Sequence, residues 1–409
     1  MKPRRLVLLV TVGSLLGIAC ARPGTAPPPP PSAIGTEAPA PPPEYASTYR
    51  ALSASLDAWE RTLATKQATS APVFGAHVLV ANGDRGTDVL SPSVMPLVDA
   101  ELDRLKELGV RGATVTISFP LLNADQPRAA DIASFYETVA AHVRARGMTF
   151  TVEQHIAFSG TVFSDVQFDF SSLPFDRFVE LDRAMAQTII DRTHPDHLSV
   201  LSEPDTFVRL TGYKQAGTPA GAAAMVERII GGLRRGSTKV GAGVGAWLPN
   251  SKEYAAAMAG ISTDYVSLHM YPLTDATARL AQAVADAAKA RGKPLVIDEA
   301  WIYKMGPGEP AAADFEQTTE YFRRDLFSFW APIDARFLRL VAEFARQNDV
   351  AYVAPFWTTY FWSYVDHSPS TKDLSYPKLA QLANQGVMKA LRDGTYTSTG
   401  RAYGAVASR

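Results

Sequence analysis

The sequence predicts an α/β protein, a closed (β/α)8 barrel of the TIM-barrel type, on three observations. Short apolar runs of strand length alternate with amphipathic helical segments eight times over roughly 320 residues. Gly147 and Gly394 stand where helices should end, and Thr218-Pro219 has the form of a helix N-cap followed by a first-turn proline. The chain of 409 residues, 46% of them hydrophobic, is long enough to bury one large core.

A doubly wound open sheet is the alternative that the same alternation leaves open. Such sheets usually carry a glycine-rich nucleotide-binding fingerprint, and Gly241, Gly243 and Gly245 do not have its spacing. The Gly-x-Ser-x-Gly elbow of serine hydrolases is absent from the sequence as well. The barrel is therefore the favoured architecture.

The barrel strands are predicted from short apolar runs, and a helix over 44–66 precedes the first of them. The helices between the strands place apolar residues three and four apart, as at Val98, Leu102 and Leu105. The eight predicted strands are Val73–Val80, Ala113–Phe119, Thr149–His155, Leu198–Ser202, Lys239–Val244, Tyr265–His269, Leu295–Ile297 and Ala351–Phe356.

The segment from Met305 to Asp349, after the seventh strand, is too long for one barrel unit and predicts two helices. It carries three large aromatic residues, Phe327, Phe329 and Trp330. At the carboxyl end of a barrel such an insertion would lie beside the active site and wall its cleft. A helix packed on the outside of the barrel is the other interpretation.

Charge and cysteine content exclude several classes of protein. Lys and Arg number 40 against 41 Asp and Glu, so the net charge of −1 gives no electrostatic footprint for nucleic acid. The single cysteine excludes an intramolecular disulfide and a Cys-rich zinc site. No set of three metal ligands stands out in the sequence, so neither a metal nor a cofactor is predicted.

The N-terminus predicts export and a lipid anchor. A basic start precedes an apolar stretch over residues 6–19, which is short for a membrane span and typical of a signal peptide. The residues from Leu16 to Cys20 resemble the bacterial lipobox, in which the cysteine is acylated and becomes the new N-terminus. We interpret 1–20 as a lipoprotein signal peptide with lipidation at Cys20. An ordinary signal peptide with an incidental cysteine is the alternative.

Residues 21–43 predict a spacer between that anchor and the barrel. They contain the proline runs Pro27–Pro31 and Pro41–Pro43, a composition that favours an extended chain and cannot build a core. The barrel domain then occupies residues 44–409, held off a membrane surface. Because Ala21 rather than an aspartate follows the cysteine, the outer membrane is the expected destination in a cell with two membranes.

Two glutamates follow predicted strands directly, at the end of the barrel where chemistry takes place. Glu203 follows the fourth strand and is succeeded by Pro204-Asp205, and Glu299 follows the seventh strand after Asp298. A charged side chain at such a place costs several kcal/mol of desolvation unless something compensates it. Strand alternation allows only one residue of each acidic pair to point inward.

These strand ends resemble those of clan A of the glycoside hydrolases, the family-five-like retaining barrels, over most of residues 72–393. Ser202-Glu203-Pro204 is similar to the clan's Asn-Glu-Pro, which implies that Glu203 is the acid/base. The clan's Asn binds the sugar, so Ser202 falls at a substrate-binding position. Glu299 matches the strand-seven nucleophile, and the resemblance thus favours the glutamates over the neighbouring aspartates.

The resemblance also implies substrate contacts. His269-Met270-Tyr271 is similar to the clan's His-x-Tyr, whose tyrosine contacts the nucleophile, so Tyr271 is expected to donate a hydrogen bond to Glu299. His155 closes the third strand, where many members place a substrate-binding histidine. The tryptophans predicted to line the site are Trp247, Trp301, Trp357 and Trp362. The second strand lacks the clan's common arginine.

The favoured function is a retaining glycoside hydrolase that cleaves a β-linked oligo- or polysaccharide by double displacement. Because Ser202 and the missing arginine depart from the clan, a non-catalytic glycan-binding surface lipoprotein is the alternative. An enzyme of sugar-phosphate metabolism is disfavoured by export and by the lack of a glycine-rich phosphate loop. The expected partners are a carbohydrate and a membrane, without nucleic acid, and the chain is expected to be a monomer. For His77 and Glu153, the sequence does not decide between a place in the cleft and a place in the core.

Overall fold

A closed barrel of eight parallel strands, hydrogen-bonded in sequential order, forms the centre of the protein. The computed structural model describes residues 39–271, 275–306, 309 and 315–408. The predicted (β/α)8 architecture is confirmed, and each predicted strand is present. The strands are β1 (Val73–His77), β2 (Gly112–Phe119), β3 (Thr149–Ile156), β4 (His197–Ser199), β5 (Lys239–Gly245), β6 (Tyr265–Met270), β7 (Leu295–Ala300) and β8 (Val350–Pro355).

Helices pack around this barrel, and their ends follow the signals in the sequence. The side chain of Thr218 caps a helix by accepting a hydrogen bond from the backbone N–H of Gly221. Gly147 and Gly394 end helices with positive φ angles of 71° and 67°, which glycine adopts without strain. The helices are α1 (Ala46–Leu63), α2 (Val94–Glu107), α3 (Ala129–Ala145), α4 (Phe175–Thr193), α5 (Pro204–Thr211), α6 (Pro219–Ile230), α7 (Ser251–Ala259), α8 (Asp275–Lys289), α9 (Phe315–Asp325), α10 (Ala331–Gln347), α11 (Thr359–Trp362), α12 (Tyr376–Asp393) and α13 (Ser398–Ala407).

The carboxyl ends of three strands, β1, β4 and β7, lie furthest from their predicted positions. β1 ends at His77 and not at Val80. β4 ends at Ser199, earlier than predicted, and Pro204 opens α5 shortly afterwards, because a proline fits the first helical turn and cannot continue a strand ladder. β7 extends to Ala300, past its predicted end at Ile297. As a result Glu203 lies between a strand and a helix, whereas the seventh-strand glutamate lies within its strand.

The insertion after β7 forms α9 and α10, the two helices predicted there. Its aromatic residues pack against the beginning of α1: Phe329 stacks on Tyr45 with ring centroids 5.5 Å apart, and Trp330 stacks on Tyr49 at 5.6 Å. Phe327 is also fully buried. These three rings therefore fasten helices to one another and do not line the cleft.

A buried ion cluster ties the same insertion to the barrel. Lys304, which follows β7, is fully buried, and its Nζ lies 2.5 Å from an oxygen of Asp334 and 3.3 Å from one of Asp325. Tyr364 donates a hydrogen bond to Asp334 at 2.8 Å. Removing one partner of a buried ion pair typically costs about 3–5 kcal/mol, so the cluster fixes α9 and α10 against the barrel.

The predicted export signals lie outside the described residues. These are the signal peptide over 1–20, the lipidation site Cys20 and the spacer up to residue 38. Among the helices that are described, none combines the length and apolarity that a membrane span requires.

A buried carboxyl on the outer face of the barrel makes stability depend on pH. Asp182 of α4 accepts a hydrogen bond of 2.7 Å from the side-chain amide of Gln154 on β3. Burial, only partly opposed by this hydrogen bond, raises the pKa of Asp182 from 3.8 to about 7. The folded state therefore favours the neutral acid, and its contribution to stability is complete below pH 4 and is lost as the pH rises to 7.

Asp182→Asn is expected to stabilise the protein at pH 8 and to leave it nearly unchanged at pH 4. The amide keeps the hydrogen bond and cannot ionise, so the free energy of unfolding at pH 8 should increase by about 2–4 kcal/mol. Urea unfolding at both pH values measures the difference. Asp176→Asn, on the same helix but exposed, is the matched control and should give no pH-dependent gain. Equal stability changes at pH 4 and pH 8 for Asp182→Asn would show that the carboxyl is already ionised when folded.

Candidate active site

An irregularity near the end of β7 brings two adjacent acidic residues to one site. β6 and β7 pair Ser267 with Val296 and then His269 with Glu299, so β7 has one residue more than β6 over this interval. Such a bulge redirects the side chains that follow it. Asp298 accepts a 2.6 Å hydrogen bond from Ser267 inside the barrel, and Glu299 faces the same interior at His269. The expectation that only one of the two can point inward is therefore wrong.

Glu203 lies at the junction between β4 and α5. Its side chain is 22% exposed, and one carboxylate oxygen lies at hydrogen-bonding distance, 2.9 Å, from Nδ1 of His269. Asp205, in the first turn of α5, accepts a hydrogen bond of 2.9 Å from the indole N–H of Trp247 instead. Of these two acidic residues, Glu203 is thus the one that contacts the histidine of β6.

Glu203 and Glu299 form a close carboxylate pair. One oxygen of each, together with a ring nitrogen of His269, lie within 4.8 Å of one another. Tyr271 donates a hydrogen bond of 2.8 Å to Glu299, which is the contact expected from the sequence. Carboxyls roughly 5–5.5 Å apart suit a nucleophile and an acid/base, whereas inverting glycosidases need roughly 6.5–9.5 Å. The geometry therefore fits the first arrangement.

His269 is the centre of this acidic cluster and is only 2% exposed. Its Nδ1 lies 2.9 Å from Glu203 and 3.5 Å from Glu299, and its Nε2 lies 2.9 Å from Glu153 and 3.4 Å from Asp298. Four carboxylates thus surround one imidazole ring. Such a concentration of negative charge in a buried place requires a compensating proton or cation.

The charges of this cluster shift its pKa values in opposite directions. Burial alone would lower the pKa of His269, but the carboxylates around it, Glu153 first, raise that pKa well above its usual value. Burial alone would raise the pKa of Glu153, but the charge of His269 lowers it to about 2. Burial, reinforced by the negative charge of Glu153, raises the pKa of Glu299. Glu153 and His269 are therefore the ionised pair of the cluster.

The same grouping of carboxylates and imidazoles could in principle surround a divalent cation. Both ring nitrogens of His269, however, already face carboxylate oxygens at hydrogen-bonding distance, and Asp298 accepts from the hydroxyls of Ser199 and Ser267. Protonation of the ring accounts for these contacts, and we assign no described residue as a metal ligand. The prediction that the protein uses no metal or cofactor stays a prediction.

His155 lies at the rim of the site, at the end of β3. Its Nε2 is 2.9 Å from the hydroxyl of Ser118 and 3.2 Å from a carboxylate oxygen of Asp84, and its side chain is 22% exposed. Burial alone would lower the pKa of His155, but the charge of Asp84 raises it. The ring is thus held in place from behind and remains partly accessible, as a substrate-binding residue must be.

Of the four predicted tryptophans, two keep an accessible surface. Trp247 and Trp357 are half-buried, and Trp247 packs near Tyr271 with ring centroids 6.3 Å apart. Trp301 is fully buried and stacks on Tyr360 at 5.2 Å. A buried ring cannot stack on a sugar, so the prediction of Trp301 as a substrate contact is wrong.

Trp362 and Ser202 also differ from the expectation. Trp362 is 4% exposed and packs against Tyr396 at 5.5 Å, so it too is a core residue and the prediction of a sugar contact there is wrong. Ser202 is buried, and its hydroxyl lies 3.1 Å from that of Ser267, to which it donates because Ser267 gives its own proton to Asp298. It therefore lies behind Glu203, beside the buried His269, and offers little surface to a substrate.

A row of aromatic rings joins loops from opposite sides of the barrel. Phe163, in the loop after β3, packs on Phe322 of α9 with ring centroids 4.9 Å apart. Phe322 in turn contacts Trp357 after β8 at 5.2 Å and Tyr303 after β7 at 5.3 Å, and Tyr303 stacks on Tyr271 at 4.8 Å. Because β3 and β7 are four strands apart in the barrel, these ring contacts connect segments that follow strands on opposite sides of it.

The sequence did not assign roles to three residues that the structure brings to this site. Glu153 contacts His269, Asp298 lies under it, and His77 lies 2.7 Å from the backbone carbonyl of Asp298 through Nε2. Glu153 and His77 did stand out as charged or ionisable residues in apolar strands. The sequence did not reveal the strand register, which directs these side chains toward the same point as Glu299.

Comparison with known proteins shows that this chain has a fold similar to that of several solved structures. No family model matches the sequence, and no curated protein is significantly similar to it. A GH5_18 protein from Bifidobacterium longum subsp. longum ATCC 55813 superposes with a TM-score of 0.53 at 15% identity, over 83% of this chain and 79% of that one. A GH5_18 protein from Bifidobacterium longum subsp. infantis gives 0.52 at 15%, over 82% and 78%.

A third solved structure contains a sugar. It is a GH5_18 variant from Streptomyces cattleya in complex with Manβ1-4GlcNAc, with a TM-score of 0.50 at 17% identity, over 83% of this chain and 81% of that one. At such identities the likeness is one of fold, a closed barrel with the same general course. The chemistry of this chain has to be inferred from its own side chains.

Proposed function

We propose that the protein is a retaining glycoside hydrolase that cleaves a β-linked oligo- or polysaccharide by double displacement. The observation that carries this proposal is the pair of carboxylates, Glu203 and Glu299, with oxygens within 4.8 Å at the carboxyl end of the barrel. Of the three GH5_18 structures compared, the one from Streptomyces cattleya holds a β-linked disaccharide.

In the first step Glu299 attacks the anomeric carbon while Glu203 protonates the departing glycosidic oxygen. In the second step Glu203, now ionised, takes a proton from water, which displaces Glu299 and releases the sugar with its original configuration. Tyr271 donates to Glu299 and holds it in position. Attack requires an ionised Glu299, and because burial raises its pKa, activity should fall as the pH becomes acidic.

We infer from the aromatic row that the site takes chain ends or short oligosaccharides. Phe163 and Phe322 connect the loop after β3 to α9 after β7, and we expect this connection between opposite strands to obstruct a long glycan. Trp247 and Trp357 offer the half-exposed aromatic surface on which a sugar ring can stack. When oligosaccharides of increasing length are offered as substrates, each is expected to release the same single small product.

A screen of aryl β-glycosides with the purified protein tests this function, with β-mannosides first because of the disaccharide in the Streptomyces cattleya complex. Turnover of at least one of them is expected. Tight binding of a β-linked glycan without turnover of any aryl glycoside would instead support a binding protein that retains the cleft.

We further propose that Cys20 is lipidated and anchors the protein to the cell envelope, in the outer membrane of a cell with two membranes. The support is the basic start, the apolar stretch and the lipobox-like residues that end at Cys20. A single acyl chain binds a membrane only weakly, whereas two or more acyl chains anchor a protein stably.

Cys20→Ser is expected to release the protein from the membrane fraction without changing its melting temperature, because the predicted barrel domain begins only at residue 44. Fractionation of cells that express either form, with incorporation of labelled palmitate, measures the effect. The same membrane-bound fraction for Cys20→Ser as for the native protein would contradict acylation at this position.

A further inference from the structure

Glu153 is a third glutamate at the catalytic pair, and the mechanism above does not use it. It lies on β3, which pairs with β4, and its side chain is 3% exposed. It therefore has almost no surface with which to touch a substrate. A carboxylate in such a place is costly unless it is paired, and its nearest ionic partner among the described residues is His269 at 2.9 Å.

The two nitrogens of His269 face two different carboxylates at equal distance. Nε2 lies 2.9 Å from Glu153, and Nδ1 lies 2.9 Å from Glu203. An ionised carboxylate can only accept a hydrogen bond, and a neutral imidazole has a single N–H to donate. With Glu203 ionised, its contact requires a proton on Nδ1, and the charge of Glu153 beside Nε2 favours a proton there as well. The geometry therefore favours an imidazolium between the two glutamates.

This arrangement has a consequence for Glu203. If Nδ1 of His269 donates to one oxygen of Glu203, that oxygen is occupied, and the proton that Glu203 gives to the leaving group must reside on its other oxygen. A neutral ring protonated only at Nε2 would instead accept that proton at Nδ1 and hold it away from the substrate. The protonation state of His269 thus decides where the acidic proton lies.

We propose that Glu153 is a positioning residue for the acid/base: it keeps His269 doubly protonated, so that the ring donates to one oxygen of Glu203 and leaves the other to carry the catalytic proton. This inference rests on the proposed glycosidase function. The directions of the pKa shifts agree with it, since the carboxylates, Glu153 first among them, overcome burial to raise the pKa of His269. The ionisable groups that face His269 are Glu153, Glu203, Asp298, Glu299, Tyr271 and His77.

Glu153→Gln tests the proposal because it removes the charge and keeps the shape. The variant should lose about 10- to 100-fold in kcat on aryl glycosides with poor leaving groups, with little change in KM. On dinitrophenyl glycosides, whose leaving group needs no proton, the glycosylation step should be nearly unaffected. Asp182→Asn, which also converts a buried carboxyl to an amide but lies outside the site, should show no such dependence on the leaving group.

The protonation of His269 is measured independently by NMR of protein labelled with ¹⁵N-histidine, with the resonance assigned through a His269 variant. The native protein should show both ring nitrogens protonated at pH 7, and Glu153→Gln should show a neutral ring whose protonation requires a pH about 1–3 units lower. This measurement needs no substrate, and the native spectrum alone is informative if the variant does not fold.

Three results would overturn the proposal: a neutral His269 in the native protein, an imidazolium that persists unchanged in Glu153→Gln, or a loss of rate that is equal for good and poor leaving groups. The last would place the effect of Glu153 on the nucleophile or on folding. Failure of the glycosidase function is distinguishable, because the native protein would then hydrolyse no aryl glycoside at all.

Discussion

Glu299→Ala is expected to reduce turnover of every glycoside substrate by about 10⁵-fold or more, whatever the leaving group. Without the carboxylate no covalent glycosyl-enzyme can form, and removal of a nucleophile eliminates the whole covalent route rather than one contribution to it. Steady-state rates with dinitrophenyl and methylumbelliferyl glycosides, compared with the native protein, measure the loss. The methyl of alanine fits where the glutamate was, so the barrel should remain folded.

The matched control for this variant is Glu101→Gln. Glu101 is likewise a buried glutamate, on α2, and burial raises its pKa to about 7, but it hydrogen-bonds Thr358 rather than a residue of the catalytic cluster. Its amide variant should keep turnover within a few-fold of native. Retention of substantial activity by Glu299→Ala would remove Glu299 as nucleophile. Without the nucleophile, azide can attack the substrate directly and give an inverted, α-configured glycosyl azide, which would agree with this role for Glu299. Azide rescue of Glu299→Ala with a β-configured product would instead exchange the roles of the two glutamates.

Glu203→Ala is expected to lose about 10²–10⁴-fold on natural glycans and to spare substrates that need no protonation. The variant cannot protonate the glycosidic oxygen, but a dinitrophenolate departs without help, so the first step still proceeds. The second step then becomes slow because no general base activates water, and the glycosyl-enzyme accumulates. A burst of dinitrophenol followed by slow turnover is the expected time course.

Azide should restore turnover to Glu203→Ala, since this small anion attacks the intermediate without a general base. The product should be a glycosyl azide of β configuration, identified by NMR. Glu203→Gln serves as the shape-matched comparison and should behave in the same way, with less room for the azide. If Glu203→Ala and Glu299→Ala both hydrolyse all substrates at the native rate, the protein is not a glycosidase that uses these two glutamates.

Much of the fold was accessible from the sequence because its signals are local. The apolar runs, the glycines at Gly147 and Gly394 and the Thr218 cap depend on neighbours within one turn or one strand, and each predicted strand is present. Bounds were less accurate at the carboxyl ends of β1, β4 and β7, where the strand ends depend on pairing with neighbouring strands and not on a local pattern.

The carboxylate pair that we propose to be catalytic was predictable for the same reason, and its surroundings were not. Glu203 and Glu299 follow apolar runs that are evident in the sequence itself. The bulge that turns both Asp298 and Glu299 inward arises from the register between β6 and β7, which no local pattern encodes. Glu153 could not be distinguished from a core residue without knowing that His269 lies opposite it.

The tryptophans show the limit of prediction by position alone. Trp357 follows β8 and stays half-exposed, whereas Trp362 in the same segment is turned into the core by the short helix α11. Trp301 directly follows β7, two residues after Glu299, yet it is buried against Tyr360. Which face of a segment meets the cleft is decided by tertiary packing.

The configuration of the first-formed product tests the double displacement by Glu203 and Glu299 most directly. Hydrolysis of an aryl β-glycoside, followed by ¹H NMR before the free sugar can mutarotate, shows the anomer as it leaves the enzyme. Carboxylates with oxygens within 4.8 Å predict that the β-anomer appears first and the α-anomer grows in later. An α-anomer at the earliest time points would mean a single displacement by water and would contradict a covalent intermediate on Glu299.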